Sequence, residues 1–172
     1  MRTEESPAVF PIHQEHTMPK LNLDSLPQSN RTGYPAPFDQ AVQGRWYRRL
    51  AEPAGLTRMG ASHVVLKPGA WSSQRHWHAE EDELLVMISG EAVLAEDEGE
   101  TVLRAGDIAA WPKGVRNGHH LQNRSDRDCV FVAISAGDRH KDHGEYPDID
   151  LLFDAEGYAR KDGSRYPAKR TP

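Results

Sequence analysis

Between residues 44 and 135 the apolar positions fall in short runs parted by turn formers. The runs are GRWYRRL at 44–50, HVVLKPG at 63–69, SSQRHWH at 72–78, ELLVMISG at 83–90, EAVLAEDEGE at 91–100, TVLRAGD at 101–107, IAAWPKG at 108–114, HHLQN at 119–123 and CVFVAIS at 129–135. Strands at this spacing predict an all-β barrel or sandwich. EDEGE, with Gly99 near its tip, reads as a hairpin turn, and Gly90 and Gly106 stand where the chain must bend. No repeat of fixed period emerges, which argues against a propeller or solenoid.

Outside this block the pattern fades. Residues 1–17 are polar without apolar periodicity and read as a disordered extension, or as sequence upstream of a start at Met18. Residues 18–43 form an irregular N-terminal arm: Leu21 and Leu23 alternate, then SLPQSNRTGYPAP is dense in turn formers. The barrel domain is expected over 44–140. Residues 141–172 read as a polar C-terminal tail anchored by Ile149, Leu151, Leu152 and Phe153.

Composition narrows the classes. A chain of 172 residues suits one domain, hence one site. The net charge of -5, with 21 basic residues dispersed among 26 acidic ones, leaves no basic stripe for nucleic acid. No apolar run approaches the ~20 residues of a membrane span, and MRTEESPAVFPIHQEHTMPK lacks the apolar stretch of a secretory signal. The expected location is cytoplasmic, with neither nucleic acid nor membrane as partner. Cys129, the one cysteine, sits inside CVFVAIS and reads as a buried thiol rather than a nucleophile.

The chemistry concentrates in histidines. His76 and His78 are two apart, so an extended strand turns both imidazoles to one face and Arg75 and Trp77 to the other. Glu83 opens the next apolar run, where its carboxylate meets the two nitrogens if the strands are neighbours. Glu80, Glu81 and Asp82 are rival carboxylates that read as a solvated acidic turn, Asp82 facing away. His119 and His120 lie on opposite faces of their strand, so at most one points inward. His140 and His143 read as solvated loop histidines.

In this arrangement the chain resembles the cupin superfamily. The first motif of that family is matched by Gly69, His76, His78, Glu83 and Gly90, and the second by Gly106, Pro112, Gly114, His119 and Asn123. The likeness spans about residues 60–136. It implies a single jelly-roll-like β-barrel with irregular terminal arms. It also implies one divalent transition metal per chain (Fe, Mn, Ni, Zn or Cu) held by His76, His78, Glu83 and His119. The spacing of His119 to Asn123 selects it over His120. By strand parity Gln74, Leu85 and Met87 would line the pocket, while Trp71, Trp77 and Trp111 read as mouth or packing residues. Arg45, Arg48 or Arg49, folded over the mouth, would suit a carboxylate or phosphate.

The functional expectation is a metal-dependent enzyme acting on a small molecule, with a dioxygenase-like oxidoreductase slightly favoured and His120, Gln74 or a nearby carboxylate moving protons. Alternatives are an isomerase or lyase using the metal as Lewis acid, a non-catalytic sensing module, and a barrel stabilised by its metal. Residues 1–60 show no paired amphipathic helices, which disfavours a DNA-binding regulator. A homodimer is expected, with residues 19–40 crossing between subunits.

Overall fold

The computed structural model of the chain describes residues 20–169; the extension 1–17 and Met18 lie outside them. The strands are β1 (Arg45–Arg49), β2 (Gly60–Leu66), β3 (Trp77–His78), β4 (Glu81–Ser89), β5 (Glu91–Glu96) and β6 (Gly99–Arg104). They continue as β7 (Ile108–Trp111), β8 (His120–Gln122), β9 (Cys129–Gly137), β10 (Gly144–Tyr146), β11 (Leu151–Asp154) and β12 (Gly157–Ala159). The one helical element among the described residues is a 3-10 turn at Leu23–Ser25.

Three antiparallel sheets result, in the orders β1-β2-β9-β4-β7, β6-β5-β8 and β12-β11-β10-β3. The fold is all-β and jelly-roll-like, but hydrogen bonding does not close it into one continuous barrel. Isolated bridges Trp71↔Gln122 and His76↔His119 join the second sheet to the chain leading into β3. Alternation explains the core. Val64 and Leu66 of β2, Leu85 and Met87 of β4, and Phe131 of β9 point inward against Ala92 and Leu94 of β5, Leu103 of β6 and Leu121 of β8. Cys129 is fully buried in this cluster, as expected of a structural thiol. Burial raises its pKa to about 11.

Gly90 shows how tightly the walls meet. Its φ is 73°, and a Cβ there would lie 2.6 Å from the Asp128 carbonyl oxygen, so only glycine fits between β4 and β5.

Two segments differ from the sequence reading. Residues 72–75 bend rather than extend, and regular pairing begins only at Trp77. The segment read as a polar tail contributes β10, β11 and β12, with Gly144 opposite His78 and Glu145 opposite Trp77. Tyr34 and Val42 of the arm bury themselves against Tyr146 and Leu151 of that sheet. Ser29 bridges Tyr47, so the arm is seated on its own chain. Among the described residues no helix is long and apolar enough to cross a membrane.

Candidate metal centre

His76 and His78 arrive from the bridge with His119 and from β3, Glu83 from the inward face of β4, and His119 from the residue preceding β8. His76, His78 and Glu83 offer ligand atoms within 4.8 Å of one another. Oε2 of Glu83 lies 2.8 Å from Nε2 of His119 and 3.7 Å from Nε2 of His78. The ring centres of His76 stand 4.9 Å from those of His78 and 5.4 Å from those of His119. All four residues named from sequence therefore meet in one place.

The hydrogen bonds behind the rings define what the cluster offers. Nδ1 of His76 donates to the Gln74 carbonyl at 2.9 Å, Nδ1 of His119 to the Asn117 carbonyl at 3.0 Å, and Nδ1 of His78 to Asp142 at 2.5 Å. With the proton on Nδ1, each Nε2 presents a lone pair, and three lone pairs converge on a carboxylate. Such a gathering of acceptors repels itself unless a cation lies among them. A proton shared between His119 and Glu83 relieves one contact, whereas a divalent ion relieves all of them together. The donor set of imidazole nitrogens with one carboxylate thus fits a first-row divalent metal.

Electrostatics agree with a ligand set ready for metal. Burial pushes His76 down to about 4, so the ring is neutral at physiological pH. Burial alone would raise Glu83, but its hydrogen bond with His119 and the nearby His76 and His78 outweigh it and bring the carboxyl to about 2. Trp111 lies flat on His119, 3.9 Å between ring centres and 4° between planes. Its Nε1 donates to Glu96 at 2.8 Å, fixing the indole that fixes the imidazole. Trp77 is instead buried with Arg116 against its ring, and Trp71 packs on His120.

The cluster opens into a cavity of about 800 Å³ lined by Arg45, Tyr47, Leu85, Trp111 and Phe131 among others. Two expectations about it are corrected. Gln74 does not line it: the bend at 72–75 breaks strand parity, and the buried Gln74 amide donates to the Phe38 carbonyl at 2.8 Å. Met87 is core, 1% exposed, while Leu85 reaches the cavity. Of the three arginines, Arg45 and Arg49 line it and Arg48 turns outward to the Leu26 carbonyl.

Among the rival carboxylates, Asp82 accepts from the Lys113 amide and Glu80 pairs with Lys113, both on the outside. Glu81 does not behave as a solvated acid. It shares the inward face of β4 with Glu83, lines the cavity, is 11% exposed in its side chain, and burial raises its pKa. Counting by two from Glu83 would have found it. Asp142, 7% exposed, grips His78 with one oxygen and the Glu80 amide with the other, at 2.9 Å. Sequence held no signal for it, because its segment lies outside the motifs. His120 is buried, with Nδ1 donating to the Ser73 carbonyl at 3.0 Å and Nε2 accepting from Gln122 at 2.9 Å. Both nitrogens are engaged, so it is not a free proton carrier. His140 and His143 are exposed.

These features define a small jelly-roll domain with an imidazole and carboxylate cluster at the base of an open cavity. Residues 62–135 match the family model described as a cupin domain. The structure is similar to that of a sugar phosphate isomerase of the cupin superfamily from Silicibacter pomeroyi, with 39% identity, 88% of this chain and 99% of that chain covered, and a TM-score of 0.81. The chain belongs to the cupin superfamily. Two further likenesses show the fold alone. One is a protein from Acidithiobacillus ferrooxidans, with 20% identity, 75% and 84% coverage and a TM-score of 0.62. The other is the polyketide cyclase RemF from Streptomyces resistomycificus, with 17% identity, 73% and 83% coverage and a TM-score of 0.59. No curated protein matches the chain by sequence.

Proposed function

We propose that this protein is a metal-dependent isomerase of a phosphorylated sugar. The observation that carries the reading is its 39% identity, across nearly the whole of both chains, to the sugar phosphate isomerase from Silicibacter pomeroyi. The cavity chemistry supports it. His76, His78, Glu83 and His119 would hold one divalent ion, and bound there it supplies Lewis-acid polarisation of neighbouring carbonyl and hydroxyl oxygens.

Moving a carbonyl between adjacent carbons requires a proton to leave one carbon and return to the next. Glu81 is the side chain placed to carry it: inward-facing, little exposed, and outside the set of His76, His78, Glu83 and His119, though its carboxylate lies within 4.8 Å of ligand atoms of His78 and Asp142. Its weak contact with Arg139, 3.9 Å away, does not tie it down. Asp142 holds the His78 ring, and Trp111 covers His119 and keeps water from that side of the cluster. The oxygenase preference drawn from sequence finds no support of this kind.

The test is proton exchange. Metal-loaded protein incubated with pentose and hexose phosphates in deuterated water should place deuterium next to the carbonyl and interconvert aldose and ketose, both lost on chelation. Glu81→Gln should lower kcat by about 10²–10⁴-fold while metal content stays unchanged. Substrate-dependent O₂ uptake without exchange would replace the isomerase reading with an oxygenase.

A further inference from the structure

Arg45 is an arginine whose charge the protein leaves without a counter-ion. It opens β1 and faces inward with Tyr47 and Arg49, so it lines the same cavity as His76, Glu83 and His119. Nη1 donates to the Ser72 carbonyl at 2.8 Å, and the guanidinium carbon stands 5.6 Å from the centre of the Tyr47 ring. Nε is buried with no acceptor. Among the described residues no carboxylate pairs with it. Arg49 pairs with Glu52 at 2.7 Å, Arg75 with Asp148 at 2.6 Å, Arg124 with Glu100 at 2.5 Å and Arg165 with Asp154 at 2.7 Å; of the described arginines that have no such pair, Arg45 is the one with a buried, unpartnered nitrogen.

A half-buried guanidinium with an unused donor has given up water without gaining an anion. Its neighbours offer none. Tyr34 and Tyr158, whose pKa values burial raises, are neutral phenols, and Ser72 and Ser73 are hydroxyls. Arg45 is therefore a permanent cation with neutral phenols and hydroxyls beside it in the cavity. The chain joining the two ends is short: the Ser72 carbonyl takes the Arg45 bond, and Ser73 Oγ lies 3.3 Å from Nδ1 of His76.

We infer that Arg45 is the anion anchor of the cavity and binds the phosphate group of a substrate whose reacting end lies at the histidine cluster. The inference rests on the isomerase reading for the identity of the anion and deepens it by naming the group that selects phosphorylated over free sugars. The guanidinium of Arg45 suits a phosphate oxygen, with Nη2 as the donor that the Ser72 carbonyl does not engage. The anchor acts equally before and in the transition state, so its removal should appear in KM rather than in kcat.

The experiment is a titration of metal-loaded protein with inorganic phosphate and, separately, with acetate, followed by calorimetry, on the wild type, Arg45→Gln, Arg45→Lys and Arg48→Gln. Phosphate should bind the wild type and Arg48→Gln alike, weaken by about 10–100-fold in Arg45→Gln, and fall between in Arg45→Lys, which keeps the charge and remains testable if the glutamine variant fails to fold. Undiminished phosphate binding in folded Arg45→Gln would overturn the anchor. Acetate binding as tightly as phosphate would overturn its assignment to phosphate. If no sugar phosphate is turned over but phosphate still needs Arg45, the isomerase reading fails and the anchor stands.

Discussion

At the scale of the residue, one carboxylate behind one imidazole does much of the organising. Asp142 accepts a hydrogen bond from Nδ1 of His78 and thereby leaves the Nε2 lone pair facing Glu83. Asp142→Asn should keep the fold and lower metal affinity by about 10–100-fold, measured by competition with a chelating dye. Unchanged affinity would show that β3 alone orients the ring. Protonation gives a second prediction. His76 titrates at about 4 in the folded chain and near 6.5 unfolded, so the unfolded chain binds more protons in between. The metal-free protein should therefore lose stability as pH falls from 6.5 to 4, and His76→Phe should flatten that window in denaturant titrations. An identical slope in the variant would remove His76 from the account. The four residues of the cluster were legible in sequence because a period of two and fixed motif spacing place them. Glu81 obeys the same parity, but the acidic run EEDE made it look solvated. Asp142 was not legible, since it reaches His78 across 64 positions.

At the scale of the element, the short strands were readable from turn formers, while pairing partners were not. β3 has two residues and relies on β10, which comes from the segment read as a tail. That segment looked polar because β10 to β12 bury only alternate positions, Gly144, Tyr146, Leu151 and Ala159. The contact between β3 and β10 allows no side chain at Gly144, where a Cβ would meet the Trp77 carbonyl oxygen and the Phe153 ring. Gly144→Ala should destabilise the protein by about 1–3 kcal/mol and weaken metal binding through a displaced His78, read from thermal melts with and without metal. A wild-type melting point would mean that β10 contributes little to holding β3. The bend at 72–75 was illegible for a related reason: Gln74 leaves strand parity to satisfy the Phe38 carbonyl, a contact with the distant arm.

At the scale of the whole molecule, the five-stranded sheet presents an apolar outer face, with Val86, Ile88, Ile108, Val130 and Val132 alternating with the inward core positions. Ile88 is 52% and Ile108 63% exposed. A homodimer through this face is the expected assembly. Light scattering should return twice the chain mass and Ile88→Glu the single mass; a wild-type monomer at micromolar concentration would contradict it. The central claim remains the metal at the base of the cavity, and one measurement reaches it most directly: elemental analysis of tag-free protein purified without chelator, beside His76→Ala with His78→Ala. The account predicts about one divalent transition metal per chain in the wild type and none in the double variant, with both folded. An absence of metal from the wild type even after reconstitution, or equal metal in both proteins, would contradict it.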